Sequence, residues 1–228
     1  MKKSIFFLLP ILPLFALSQS MGIGVKAGLN FANVTKVSEI NNSSNTGFNV
    51  GIFMAPPSKG IISSHTELLF SRQGYNYKTN TNTGVVDLNY IMLPQYMCIN
   101  ITKFFQIQFG GQIGVLLNSN VDSSKTSTST GSASNDQMMS YYNRFDYGYG
   151  GGIEIHPISG LVIGARLNIS LGDLYKTPEP GEMPSFIPKV DVKNNVFAAY
   201  LGWTFGKQPK KEKRDKKDKN DKSNETTY

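Results

Sequence analysis

The chain contains few of the residues from which catalytic and metal sites are usually built. Its 228 residues include one cysteine, two histidines and one tryptophan. Cys98 has no partner for an internal disulfide, although export from the cytoplasm would permit one. No set of residues has the spacing of metal ligands, of a phosphate-binding loop or of a dinucleotide-binding motif. We therefore interpret Cys98 as a small apolar residue and predict no metal site and no cofactor.

Long apolar runs are also missing beyond the N-terminal segment. No stretch there approaches the roughly 18 consecutive apolar residues expected of a membrane-spanning helix. The mean hydropathy is −0.24, a value that a soluble protein would also have. A transmembrane barrel with a polar lumen gives the same value, because only every second strand residue faces lipid. The low hydropathy is therefore compatible with a membrane protein built from strands.

A basic surface is missing as well, despite a formal net charge of +7. The excess positive charge lies at the two ends of the chain, in Lys2 and Lys3 and in residues 207–228. Residues 19–206 are close to neutral, so they do not provide the basic face that nucleic-acid binding requires. We predict no nucleic-acid partner.

The first 18 residues have the pattern of a cleavable export signal. Two lysines precede an apolar run over residues 5–17 that two prolines interrupt. Ala16 and Ser18 put small residues at positions −3 and −1 of a cleavage before Gln19. An uncleaved anchor is the alternative, but the run is short for a membrane span and no stop-transfer pattern follows. We predict a signal peptide over residues 1–18 and hence an exported protein.

Residues 207–228 form a second segment outside the predicted fold. Lys, Asp and Asn dominate it, and no large apolar residue precedes Tyr228. Such a segment cannot bury a core, so we predict a disordered basic tail in the periplasm. It is either a solvated tail or a contact surface for an acidic partner or the cell wall.

Between these ends, apolar and polar residues alternate with the period of two that is typical of strands. In the clearest case, six apolar residues from Leu161 to Leu171 fall on one face and Arg166 falls on the other. Pro94 interrupts another segment, which favours an edge strand or a bulge there. Eight segments show the alternation or a weaker form of it: residues 22–33, 47–55, 61–75, 85–99, 105–117, 147–155, 161–171 and 197–205.

The links between these segments alternate in length. The links after the second, fourth and sixth segments are short: residues 56–60, 100–103 and 157–160. The links after the odd-numbered segments are longer and polar: residues 34–46, 76–84, 118–143 and 172–194. Short turns on one rim and long loops on the other are typical of outer-membrane barrels, with the short set periplasmic. An even number of strands places both termini on that same side.

We therefore predict an all-β fold over residues 19–206: an eight-stranded antiparallel up-and-down transmembrane β-barrel with short periplasmic turns and long outer loops. It would lie among the lipids of the cell outer membrane of a Gram-negative bacterium, with both termini periplasmic. A sheet crosses hydrocarbon only when it is closed, because each backbone group must be paired internally. The alternative is a soluble barrel of the lipocalin kind, whose apolar face would surround a ligand.

The face predicted to line the lumen carries four charged residues, Lys26, Glu67, Glu154 and Arg166. An isolated charge in a narrow lumen is costly, so we expect these side chains to pair as a structural plug. Glu154 and Arg166 lie on adjacent strands on either side of a short turn. We predict that they form a cross-strand ion pair.

The two histidines do not complete a recognisable catalytic site. His65 with Glu67, or His156 with Ser159, could form a dyad, but neither dyad has a third orienting group at a recognisable spacing. We predict that the protein is not an enzyme.

The predicted barrel contains six short motifs in a fixed order: GVKAGLNFANV, GFNVGIF, ELLFSRQGY, NYIMLPQY, DYGYGGGIE and NVFAAYLGWTFG. Together they resemble the PorT-like outer-membrane β-barrel family of the Bacteroidota, over nearly all of residues 21–206. The resemblance implies an outer-membrane location, and the family's namesake is associated with type IX secretion. The chain departs from many outer-membrane barrels in its charged segment beyond Phe205, because those barrels often end on an aromatic residue.

These features favour a non-enzymatic outer-membrane protein with an anchoring, adhesion or assembly role. Its contact surfaces would be the long outer loops and the basic tail. One alternative is an accessory component of type IX protein secretion, which requires a protein partner in the envelope. Another is a narrow channel or a lipocalin-like ligand carrier.

Overall fold

The computed structural model describes residues 22–34, 41–55, 60–78, 82–125, 139–176 and 192–205. In these ranges no helix is long and apolar enough to cross a membrane. The predicted signal peptide, residues 1–18, and the predicted tail, residues 207–228, lie outside the described residues. Eight strands lie within them: β1 (Gly22–Val34), β2 (Asn41–Ala55), β3 (Ile62–Lys78), β4 (Asn82–Asn100), β5 (Phe105–Lys125), β6 (Phe145–Ile155), β7 (Leu161–Ser170) and β8 (Asn194–Phe205).

The eight strands form a closed up-and-down barrel. Each strand pairs antiparallel with the next one in the chain, and β8 pairs with β1. The predicted fold class is confirmed.

The apolar residues of the strands face outward. Val25, Ile113 and Leu201 are 45%, 45% and 58% exposed, and each of the eight strands contributes further apolar side chains to this band. The soluble alternative is therefore wrong, because it would place these side chains inside. Exposed aromatic rings lie near strand ends, as in the interfacial girdles of membrane barrels: Phe31, Phe104, Phe145, Tyr147, Trp203 and Phe205.

Most strands extend further at one end than the sequence pattern predicts, β2 to β5 by three to eight residues, β6 by two and β8 by three. β2 to β5 contain 15, 17, 19 and 21 residues, and their additional residues lie at the end of the barrel opposite the short turns. We call this the long-loop end. Asn, Ser and Thr dominate these extensions, so apolar alternation ends there although the backbone pairing continues. The strand signal is lost because a side chain above the lipid no longer needs to be apolar.

The extensions shorten two of the links that we predicted to be long. Only residues 35–40 separate β1 from β2, and only residues 79–81 separate β3 from β4. The prediction of long loops over residues 34–46 and 76–84 is therefore wrong. The links after β5 and β7 do remain long, at residues 126–144 and 171–193.

Pro94 lies within β4, where the sequence predicts an edge or a bulge. A closed barrel has no edge strand, and Pro94 pairs with Gln112 of β5. On its other side, the β3–β4 pairing passes from Thr66↔Gln95 to Leu69↔Met92 and omits the two positions between. The ladder is interrupted there because proline has no N–H to donate.

Side chains fill the lumen in layers that differ in polarity. Near the short turns Phe53, Val162 and Tyr200 pack together. Charged residues and then amide residues follow toward the long-loop end. The last layer is an apolar cluster that includes residues of both long links, and we call it the cap: Val34, Leu69, Tyr75, Val86, Leu88, Tyr90, Met92, Leu116, Met139, Tyr142, Leu174 and Val192.

The outward face can be tested by placing a charge in it. Leu201 lies in the middle of the outward apolar residues of β8 and is 58% exposed. Leu201→Arg is expected to lower the free energy of unfolding by about 2–4 kcal/mol, because the charge would enter hydrocarbon. Asn120→Arg, at an exposed polar position of β5, is the control and should cost less than about 1 kcal/mol. Reversible unfolding in lipid vesicles measures both, and equal costs would contradict the assignment of this face to lipid.

Candidate functional site

Glu67 of β3 is the centre of the charged layer. Its carboxylate accepts hydrogen bonds from Lys26 Nζ at 2.9 and 3.0 Å and from the two Nη atoms of Arg166 at 3.0 Å each. Lys26 belongs to β1 and Arg166 to β7, and none of the three residues is more than 4% exposed. The ion pairs therefore connect strands across the lumen rather than neighbours in the sheet. Such a shared carboxylate offsets the desolvation of two buried cations at once.

Glu154 of β6 has a different set of partners. Its Oε2 accepts hydrogen bonds from Gln108 Nε2 and, at 3.1 Å, from the hydroxyl of Tyr200. Its Oε1 lies 3.5 Å from His156 Nε2, and its Oε2 lies 3.8 Å from His65 Nδ1. Glu154 is thus held mainly by neutral donors.

The predicted pair between Glu154 and Arg166 is wrong. In the β6–β7 register Glu154 lies opposite Gly164, and Arg166 lies opposite Gly152, so the two residues are offset by two positions. The short turn is centred one residue earlier than the symmetric position that the sequence suggested. The long Arg166 side chain then reaches across the lumen to Glu67.

Two tyrosines and one glutamine complete the charged layer. Lys26 Nζ lies 3.6 Å from the centre of the Tyr200 ring, and Arg166 Cζ lies 3.9 Å from the centre of the Tyr96 ring. Gln108 Oε1 accepts a hydrogen bond from Arg166 Nη2. Aromatic faces attract cations that have lost water, so the rings compensate part of the burial cost. The alternation predicts the inward position of Gln108 and Tyr200, but the contacts of these residues with the two cations do not follow from sequence spacing.

The histidine dyads considered from the sequence do not stand apart from this layer. His65 Nε2 is 3.9 Å from Glu67 Oε1, a carboxylate that already accepts from two cations. For the second dyad, the polar group next to His156 is the Glu154 carboxylate and not the Ser159 hydroxyl. Within the described ranges, no three His, Cys, Asp or Glu side chains are grouped so that they could hold a metal ion. The free thiol of Cys98 is buried, as its interpretation as a small apolar residue requires.

Above the charged layer, amide side chains form a hydrogen-bonded chain across the lumen. Asn49 Nδ2 donates to Asn30 Oδ1 at 2.6 Å, and Asn30 Nδ2 donates to Ser71 Oγ at 2.9 Å. From the other side, Asn194 Nδ2 donates to Gln73 Oε1 at 2.5 Å, and Gln73 Nε2 donates to Ser71 Oγ at 2.9 Å. Both layers therefore occupy the lumen with mutually bonded polar groups.

A closed eight-stranded barrel with an apolar exterior and a filled lumen defines the protein as a small membrane barrel. The chain belongs to the outer membrane protein beta-barrel domain family, whose model matches residues 17–176. It is therefore an outer-membrane protein. No curated protein matches the chain in sequence.

Several solved structures are similar to the barrel. Ail, the attachment invasion locus protein of Yersinia pestis, is 14% identical, with 82% of this chain and 100% of that chain covered and a TM-score of 0.47. Neisserial surface protein A is 15% identical over 80% of this chain and 97% of that chain, with a TM-score of 0.45. OprG from Pseudomonas aeruginosa is 10% identical over 82% and 97% of the two chains, with a TM-score of 0.43.

The central role of Glu67 can be tested by a double-mutant cycle. Arg166→Met is expected to lower the free energy of unfolding by about 3 kcal/mol, because the buried Glu67 carboxylate loses a bidentate partner. The coupling energy between Arg166→Met and Glu67→Gln should exceed that between Arg166→Met and Glu154→Gln, since only Glu67 forms a salt bridge with Arg166. Ala165→Met, on the outward face of the same strand, should have little effect. A larger coupling with Glu154 would contradict the observed pairing.

Proposed function

We propose that the protein is a non-conducting, non-enzymatic outer-membrane barrel that serves as an anchor and presents its long-loop end to a partner. The observation that carries this proposal is a lumen that side chains fill, except for a small cavity beside Lys26 and Asn30 with room for about one or two water molecules. The Glu67 cluster, the amide chain and the cap occupy successive levels of the described barrel. An interior filled in this way leaves the surfaces at the two ends as the places where other molecules can bind.

The cap supports the role of a stable presenting surface. Tyr142 and Tyr175, from the links after β5 and β7, form an isolated β-bridge and stack with ring centres 5.1 Å apart. Asn143 Nδ2 donates to the carbonyl oxygens of Asp173 at 2.7 Å and of Tyr175 at 3.0 Å. The described parts of the two links are thus bonded to each other over the end of the lumen.

The orientation of the barrel in the membrane is part of the proposal. β1 begins and β8 ends at the short-turn end, where Ile23 pairs with Phe205. In outer-membrane barrels the short turns are periplasmic, which would place the long-loop end outside the cell. We propose that residues 1–18 are removed on export and that residues 207–228 extend into the periplasm. There the basic tail could contact an acidic partner or the cell wall.

The narrow-channel alternative predicts that the protein conducts ions, whereas our proposal predicts that it does not. The purified protein, inserted into planar lipid bilayers, is expected to show no stepwise ionic current, because the described lumen is filled at several levels. A general porin inserted by the same procedure is the positive control. Reproducible channel openings of the purified protein would contradict the proposal and would favour the narrow-channel alternative.

Protease treatment of intact cells tests the orientation. Trypsin is expected to cut after Lys125, which ends β5 at the long-loop end, and to spare the lysines of residues 207–228. Arg144 should be a poorer site, because its carbonyl accepts a hydrogen bond from Leu116 N. Lys125→Gln should abolish the fragment that this cleavage produces. In permeabilised cells, trypsin should also remove residues 207–228. Loss of the tail from intact cells without cleavage at Lys125 would invert the orientation.

The motifs shared with PorT-like barrels favour a second candidate, an accessory role in type IX secretion. This role requires a protein partner in the envelope. The observation behind it is the ordered set of motifs along the barrel strands, of which DYGYGGGIE occupies most of β6. Purification from native membranes decides between the candidates, since a stoichiometric partner from a secretion machine would favour the second.

A further inference from the structure

Asp146, near the start of β6, is a buried carboxylate at the long-loop end. It is 7% exposed, its Oδ2 accepts a hydrogen bond from Ser170 Oγ at 2.8 Å, and the backbone N–H of Tyr147 also donates to its carboxylate. Among the described residues, no basic side chain forms a salt bridge with it, whereas Glu67 pairs with both Lys26 and Arg166. Burial of a carboxylate is costly unless a cation or a proton neutralises it. Asp146 therefore has hydrogen-bond donors but lacks the cationic partners that Glu67 has.

A small cavity lies beside Asp146 and has room for about one water molecule or ion. Asn143, Asp173 and Asn194 line it together with Tyr90. Asn194 is 3% exposed, and its Oδ1 has no hydrogen-bond partner among the described residues. A buried acceptor without a donor usually indicates a missing partner. The cavity thus brings a carboxylate without a cation and an amide oxygen without a donor to one place.

We propose that this cavity binds a hard divalent cation of the calcium class, with oxygen atoms of Asp146, Asp173 and Asn194 as ligands. Calcium prefers carboxylate, amide and carbonyl oxygens and completes its shell with water. The two carboxylates balance the charge of a divalent ion. The ligands contain neither imidazole nor thiolate, which disfavours a transition metal. Asp173 is exposed, so the cavity borders the solvent-facing surface.

The proposed site lies where three parts of the chain meet, so a bound ion would affect the stability of this end of the barrel. Asp146 lies near the start of β6, Asn194 starts β8, and Asp173 lies in the link that follows β7. These three parts of the chain meet where the cap closes the lumen. The bound ion joins these three parts and stabilises the cap. This inference does not depend on the proposed anchoring role.

Calcium binding to the full chain tests the proposal. The protein is refolded in micelles of a zwitterionic detergent without phosphate, and calcium chloride is added in an isothermal titration. Asp146→Asn is expected to lower the affinity by about tenfold or more, and Asn194→Ser should lower it by a smaller factor. Asp87→Asn is the matched control, because it removes a carboxylate that is hydrogen-bonded to Asn45 on β2. This control should bind calcium as the parent chain does.

Heat-modified migration on gels shows whether each variant is folded. If Asp146→Asn does not fold, Asn194→Ser decides the question, and an unchanged affinity in that variant overturns the proposal. No calcium binding by the parent chain also overturns it. Equal binding by Asp146→Asn and Asp87→Asn would place the ion elsewhere and would have the same consequence.

Discussion

Closure of the sheet between β1 and β8 is the constraint on which the rest of the structure depends. Their register extends from Ile23↔Phe205 to Val34↔Asn194, so it covers almost the whole of both strands. Hydrocarbon offers no partner to a backbone N–H or C=O, and an open edge would leave a row of them unpaired. Once the ring is closed, the period of two divides every strand between lipid and lumen. A ring of eight strands leaves an interior that side chains can fill, so the lumen must satisfy its own polar groups.

The contacts in the lumen depend on one another, because a glycine makes room for an aromatic ring and that ring contacts a charged residue. A Cβ atom at Gly164 would lie 2.3 Å from Cζ of Tyr200, so only glycine admits the ring at this position. The Tyr200 ring covers the ammonium group of Lys26, whose hydrogen bonds reach Glu67. Glu67 in turn receives the guanidinium group of Arg166. The aromatic and acidic groups are therefore in contact with cations that would otherwise be buried without compensation.

The sequence predicts the strands and their faces well, because the period of two follows from backbone geometry alone. The inward position of Lys26, Glu67, Glu154 and Arg166 follows from that period, and all four are buried. Which of them pair does not follow, because a shift of two positions at one turn leaves every face unchanged. The reach of Arg166 across the barrel depends on the curvature of the closed sheet, which no local pattern encodes. The strand ends above the lipid were missed for a related reason, since Asn, Ser and Thr can continue a ladder without alternating.

The long-loop end is closed by two different means on its two sides. β2 to β5 extend beyond the apolar band as paired strands, whereas β6 to β8 contain only 10 to 12 residues and end lower. On the lower side, the described parts of the links after β5 and β7 contact each other and supply Met139, Tyr142 and Leu174 to the cap. Loop residues that pack into an apolar cluster lose freedom before any partner arrives, so binding costs less ordering there. The same packing buries the neighbouring carboxylate of Asp146, whose charge is costly there without a counterion or a proton. Closure of the lumen and the chemistry at its rim are therefore consequences of one arrangement of these two links.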